Sequence, residues 1–185
     1  MQEKDELIYS RFLKGRNEND MRLLLERHRE GLFLFLLGIV HNEEDAEELM
    51  MDAFARVAAG TAHFSGRSSF KTWLFSIARN QARMFLRKKR ILSVHTDEAT
   101  LSSGDAPDLA LLIEEQNRQL FLALNSLPDD YRQVLYLLYF EEMSREEAAL
   151  VMRKTKKQIY KLTEHGKDAL RDALERMGFE YEKYR

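Results

Sequence analysis

The chain has 185 residues, a mass of 21.8 kDa, 29 Lys and Arg against 31 Asp and Glu, and no cysteine. That length admits one ordinary domain or two small ones, and the balanced charge excludes a uniformly basic nucleic-acid coat while leaving local patches open. Without thiols there is no disulfide frame, iron–sulfur site, Cys-based zinc finger or thiol nucleophile.

Two prolines and eight glycines punctuate the chain so little that long helices are the economical reading. The start, MQEKDELIYS, lacks the basic region and apolar core of a secretory signal. Residues Asp20 to Val40 predict one helix, or two with a break near Gly31, apolar on several sides. Its most apolar part, Leu32 to Val40, is about half a bilayer span. A cytoplasmic protein with no membrane insertion is expected.

Asn42 offers an N-cap, followed by acids at Glu43, Glu44 and Asp45 that complement the helix dipole. Ala46, Leu49, Met50, Ala53, Phe54, Val57 and Ala58 then follow helical spacing, and Gly60 suits a C-cap. Thr61 to Ser69 reads as a loop with one aromatic, Phe64. A further helix is predicted from about Phe70 to Arg90, with an apolar seam of Phe70, Trp73, Leu74, Ile77, Ala78, Met84 and Phe85. From Ile91 to Ala106 the periodicity stops in a Ser-, Thr- and Asp-rich stretch, a linker by composition.

A helix from about Asp108 to Asn125 follows, and Pro128 suits the first position of the next, Pro128 to Phe140. Ser144 with Glu147, and Thr155 with Gln158, form two capping boxes. The last helix carries Ile159, Leu162, Gly166, Ala169, Leu170, Ala173, Leu174 and Met177 on one seam. No strand pattern appears. The fold class is therefore all-α: two small helical domains joined by a flexible linker, at 1–92, 93–110 and 111–185.

Three constellations bear on chemistry. The two capped helices around a three-residue turn have helix-turn-helix spacing. Lys157, Tyr160, Lys161 and Glu164 lie opposite the apolar seam, as major-groove docking requires, with Arg153 and Lys154 in the turn. The alternative is an amphipathic hairpin with a solvated basic face. Second, Phe64 to Arg90 holds eight Lys or Arg and no acid. Ser76, Arg79, Asn80, Arg83, Arg87 and Arg90 share one helical face near Trp73. Cations interleaved with aromatics suit single-stranded nucleic acid, which they grip by phosphate contacts and ring stacking. The alternative is a solvated basic helix with Trp73 in the core. Third, Glu43 to Asp52 holds six acids beside Leu49, Met50 and Met51, either a docking surface for a basic protein or dipole complementarity on a wet face.

Catalytic patterns are poor. The five histidines are scattered, and neither a phosphate-cradling G-x-x-x-x-G-K nor G-x-S-x-G occurs. Neither an enzyme nor a metal or other cofactor is expected.

The first lobe resembles region 2 of an extracytoplasmic-function sigma factor, the small two-domain branch of the sigma-70 family. The residues that carry this are Asp45-Ala46-Glu47-Glu48-Leu49, Ala53-Phe54, the run Phe64 to Leu74, Ile77-Ala78-Arg79-Asn80 and Arg87-Lys88-Lys89-Arg90. The second lobe resembles region 4 through Leu127-Pro128, Tyr139 to Ser144, Glu146-Glu147-Ala148-Ala149 and Lys167 to Leu170. Nearly the whole chain is covered, in the family's order.

The resemblance implies that Asp45, Glu48, Leu49, Met51, Asp52 and Phe54 dock on the clamp helices of core RNA polymerase. It implies that Phe64, Arg67, Ser69, Trp73, Ser76, Arg79, Asn80, Arg83 and Arg87 open the minus-ten element and hold its non-template strand, with a flipped base in the loop. Arg153, Lys154, Thr155, Lys156, Lys157, Gln158, Tyr160, Lys161 and Glu164 would read the minus-thirty-five duplex, and the linker would thread polymerase channels. An anti-sigma factor is an expected partner. Departures from the family pattern are apolar residues at Met51 and Leu162, where Gln and a basic residue are common, and Arg153-Lys154 in place of a Gly and an apolar residue. The implied function is promoter choice for polymerase; the alternatives from the residues alone are a stand-alone helix-turn-helix regulator and a helical adaptor with no DNA role.

Overall fold

A computed structural model describes residues 3–95 and 115–178. The predicted linker at 93–110 and the start of the predicted helix at Asp108 fall almost wholly outside the described residues. All regular secondary structure among the described residues is helical, with no strand.

The first lobe has four helices: α1 (Asp5–Gly15), α2 (Glu18–Val40), α3 (Glu43–Ala59) and α4 (Phe70–His95). Sequence reading assigned no helix to α1. Its signal was short, Ile8, Tyr9 and Phe12 on one buried face with acids in the first turn. Arg16 ends it in the left-handed region, its N–H returning to Phe12 O. Of the two options for 20–40, the structure takes the unbroken one. Asn17 caps the start by accepting from Asn19 N, and His41 closes the end. Asn42 and Gly60 bracket α3 as expected, Asn42 accepting from Asp45 N and Gly60 at φ 68°. α4 spans 26 residues, about 39 Å at the helical rise. Its buried face is Phe70, Leu74, Phe75, Ala78 and Ala82, whereas Met84, placed on the seam by spacing, is 68% exposed. At the helical repeat Met84 falls well round the helix from Ala78 and Ala82, while its neighbours Phe85 and Leu86 stay packed against the core.

In the second lobe α5 (Glu115–Asn125) leads to α6 (Asp129–Leu135), a π-helical turn (Tyr136–Phe140), α7 (Arg145–Met152) and α8 (Lys156–Arg176). Pro128 is the N-cap of α6 rather than its first helical residue. The predicted single helix from Pro128 to Phe140 widens at Tyr136, where Glu141 N bonds back five residues to Tyr136 O at 3.1 Å. Both capping boxes form. Ser144 and Glu147 exchange side-chain and backbone bonds, as do Thr155 and Gln158. Each hydroxyl satisfies one otherwise orphaned N–H, so Ser144→Ala and Thr155→Ala each cost about 1 kcal/mol. A lower urea midpoint at unchanged slope is the expected reading.

The core is continuous across both lobes. α4 packs along α7, and α2 along α6 and the π turn. Between them Phe35 lies 5.9 Å from Tyr136, centroid to centroid, and the Tyr136 hydroxyl donates to Gly31 O at 3.1 Å. Burial and the adjacent Glu141 raise the pKa of that phenol, so it stays a donor.

Candidate nucleic-acid interface

The loop from Thr61 to Ser69 is anchored by an aromatic cluster. Phe64 packs 5.0 Å from Trp73 and 5.9 Å from Tyr9, and Tyr9 lies 5.2 Å from Phe70 and 5.4 Å from Trp73. Tyr9 also donates its hydroxyl to Val57 O at 3.1 Å. Phe64 and Trp73 are half-buried, so each keeps part of a ring at the surface while the cluster fixes its position. The Glu6 carboxylate receives Phe70 N at 2.8 Å, satisfying the start of α4 from another helix. Tyr9 and Glu6 went unnoticed in the sequence because α1 did. Arg67 stands exposed at the loop tip beside Gly66, which holds φ 69°.

On α4 the predicted strand face divides. Arg83 and Arg87 are exposed, four residues apart on one side of the helix. Ser76 and Asn80 are half-buried, and Ser76 donates to its own helix at Thr72 O. Arg79 is only 2% exposed. Its Nε donates to Gln133 Oε1 at 2.6 Å and its Nη1 to Met152 O at 3.1 Å, while Nη2 lies 3.9 Å from Asp130. Burial, with Arg83 and Arg153 nearby, pulls this guanidinium down to about 10 against the pull of Asp130, still charged at neutral pH. Helical spacing put Arg79 among the solvated cations; the second lobe covers it. Ser69 belongs to the same contact, donating to Glu147 Oε1 at 2.9 Å.

The second surface is the start of α8. Lys156, Lys157, Gln158, Tyr160 and Lys161 are exposed beyond the Thr155 cap, while Ile159, Thr163 and Gly166 face inward. Gly166 sits where a Cβ would meet the Leu135 side chain at 3.3 Å, which brings α8 close against α6. Arg145 lies over the Tyr160 ring at 5.6 Å and Lys156 pairs with Glu146 at 2.5 Å, so α7 braces the side chains that α8 presents. Arg153 takes the left-handed turn position at φ 52°, and Lys154 pairs with Asp130 at 2.9 Å. Glu164 is half-buried beside Lys167.

The third surface is the acidic side of α3. Glu48, Met51 and Asp52 are exposed, and Asp45 pairs with Lys89 at 3.0 Å. Leu49 and Phe54, expected at a docking face, are 6% and 3% exposed. They share the helical stripe of Ala46, Ala53 and Val57, and that stripe is core. Met50, read as able to be exposed, is likewise buried. Among the described residues no group of His, Asp and Glu is arranged to hold a metal ion, and no helix is long and apolar enough to cross a membrane.

Against known proteins, the family model for Sigma-70 region 2 matches residues 24–91 and that for Sigma-70 region 4 matches 117–177. The chain is 32% identical to the ECF RNA polymerase sigma factor SigX of Bacillus subtilis, over 85% of this chain and 85% of that one. It is 28% identical to the RNA polymerase sigma-H factor of Pseudomonas aeruginosa, over 82% and 84%. Its fold is similar to that of the sigma factor RpoE from Bartonella quintana, solved with the anti-sigma factor NepR (TM-score 0.69, 23% identity, 84% of this chain and 97% of that one). It is also similar to that of CnrH, solved with the cytosolic domain of CnrY (TM-score 0.66, 22% identity, 92% and 97%).

Proposed function

The chain belongs to the sigma-70 family, in its extracytoplasmic-function branch, and on that premise we propose that it directs core RNA polymerase to particular promoters through two DNA surfaces of different kind. Residues 1–92 act as region 2, 93–110 as the connection and 111–185 as region 4. The loop around Phe64 and Arg67 and the α4 face with Asn80, Arg83 and Arg87 take the melted minus-ten strand. Ser69, Trp73, Ser76 and Arg79 complete that surface. The start of α8, Lys156 to Lys161, enters the minus-thirty-five major groove, with Arg153, Lys154 and Glu164 at its margins. Glu48, Met51 and Asp52, with Asp45, meet polymerase. Leu49 and Phe54 serve by shaping α3 from within.

The observation that carries this reading is the pairing, in one chain of net charge −2, of an acid-free cationic helix beside a ring cluster with a separate, doubly capped, cation-bearing helix pair. An ordinary repressor needs only the second. The protein is not itself an enzyme and works in the cytoplasm, where polymerase is. An anti-sigma factor is its expected inhibitor, as NepR and CnrY partner the similar structures.

Run-off transcription with purified core polymerase on the cell's own promoter fragments tests the reading. A defined transcript is expected, and none at any native start would defeat it. Lys157→Ala removes one exposed cation from the recognition helix. It weakens the minus-thirty-five footprint by about 5- to 10-fold and lowers the salt slope of holoenzyme binding by about one. An unchanged footprint would remove α8 from the duplex surface.

A further inference from the structure

The opening turns of α8 carry exposed cations at Lys156, Lys157 and Lys161 and one large ring among them, Tyr160, which is 54% exposed. Tyr160 stands three residues past Lys157, hence on a neighbouring part of the same surface, and outside the buried stripe of Ile159, Thr163 and Gly166. The Thr155 capping box fixes the backbone at the start of this stretch.

The ring is held from another helix. The guanidinium of Arg145, the first residue of α7, lies 5.6 Å from its centroid. The next residue, Glu146, takes Lys156 at 2.5 Å, so two consecutive residues of α7 grip two side chains one turn apart on α8. A guanidinium over an exposed ring favours one ring orientation by about two- to fivefold. Tyrosine has only two side-chain torsions, so a ring already held in one orientation gives up little freedom when a ligand covers it.

The chemistry of the ring limits what it can read in a major groove. The neighbouring lysines donate, either to phosphate or to guanine O6 and N7. An aromatic ring has no donor and acceptor pair that matches a base edge. It offers apolar area, and the apolar group that a base pair presents in the major groove is the C5 methyl of thymine. The competing use of the residue is a bond from its hydroxyl to phosphate, which carries no base preference.

We infer that Tyr160 reads a thymine methyl in the minus-thirty-five element, which therefore carries an A·T pair there, and that Arg145 is a positioning residue that holds the ring for this contact. The inference rests on the assignment of α8 to the minus-thirty-five groove made above. The ring supplies base selection that phosphate contacts alone lack.

The test uses holoenzyme on the promoter fragment that gives the strongest run-off transcript. Each thymine of its minus-thirty-five element, on either strand, is replaced in turn by deoxyuridine, which pairs alike and lacks only the methyl. At one position binding weakens by about fourfold, the worth of one buried methyl. Tyr160→Ala abolishes that difference, and Tyr160→Phe, which keeps the ring, retains it. Arg145→Ala shrinks it to below about twofold, and Arg145→Lys, still a cation, restores part of it. A merely structural Arg145 would lower binding to both duplexes alike, and a thymine-to-uracil ratio still at about fourfold in Arg145→Ala overturns its positioning role. No thymine whose methyl matters, a difference that survives Tyr160→Ala, or one lost in Tyr160→Phe overturns the thymine contact. Lys157→Ala on the same fragment keeps the two readings apart. A weakened footprint beside a missing methyl effect sinks the thymine contact alone, whereas an unchanged footprint removes α8 from the groove and the inference with it.

Discussion

Core polymerase supplied with the Asn80→Ala, Arg83→Ala double variant gives about 10- to 100-fold less run-off transcript than with the unchanged chain, at equal holoenzyme assembly. Arg83 is exposed on α4 and is none of the side chains of the acidic surface of α3, so its loss removes strand affinity while leaving those side chains in place. A charge-assisted phosphate contact and an amide contact to an unstacked base are each worth roughly 1–1.5 kcal/mol, about five- to tenfold apiece when they act on strand capture. The defect therefore lies in opening. Permanganate reactivity of the minus-ten thymines falls with the transcript, while co-elution with core polymerase holds. Equal loss of both would mean that this face touches polymerase rather than DNA.

The second large effect is structural. Phe70→Ala costs about 3–5 kcal/mol, because the ring is fully buried between Tyr9, His28, Phe64 and Trp73 and its neighbours cannot close the gap. Against a total stability of about 5–15 kcal/mol, that is a large share. The lost ring also supports Phe64, so the loop carrying Arg67 loses its anchor along with the stability. Chemical denaturation followed by circular dichroism reads the first effect. Phe70→Leu, which keeps most of the volume, should recover all but about 1.5 kcal/mol. A Phe70→Ala variant with an unchanged midpoint would show that the cluster is not load-carrying in the fold.

Much of the architecture was legible because it rests on local chemistry. The caps at Asn42, Ser144 and Thr155, the left-handed Gly60 and the periodicity of α3 and α8 each reside within about one or two helical turns. α1 was missed because its apolar face amounts to a few residues and acquires meaning only when Tyr9 and Phe12 meet partners from distant helices. The widening at Tyr136 was missed because π turns carry no strong local signature. At the site, spacing correctly grouped the cations of α4 on one side. It could not say that Arg79 is enclosed while Arg83 is not, since that depends on where a lobe more than 40 residues away comes to rest.

The sequence by itself therefore determined an all-helical chain in two parts, the ends of most helices, and a segregation of charge that keeps acids off α4 and cations off the start of α3. Caps and amphipathic periodicity act over a few residues, so residue type along a short window is enough to signal them. Only the tertiary structure decided which of those charges meet solvent. Gly31 and Gly38 admit the second lobe against α2, and Glu147 serves two helix starts at once. Such contacts arise from the shape of assembled surfaces, and no window along the chain contains both sides of them.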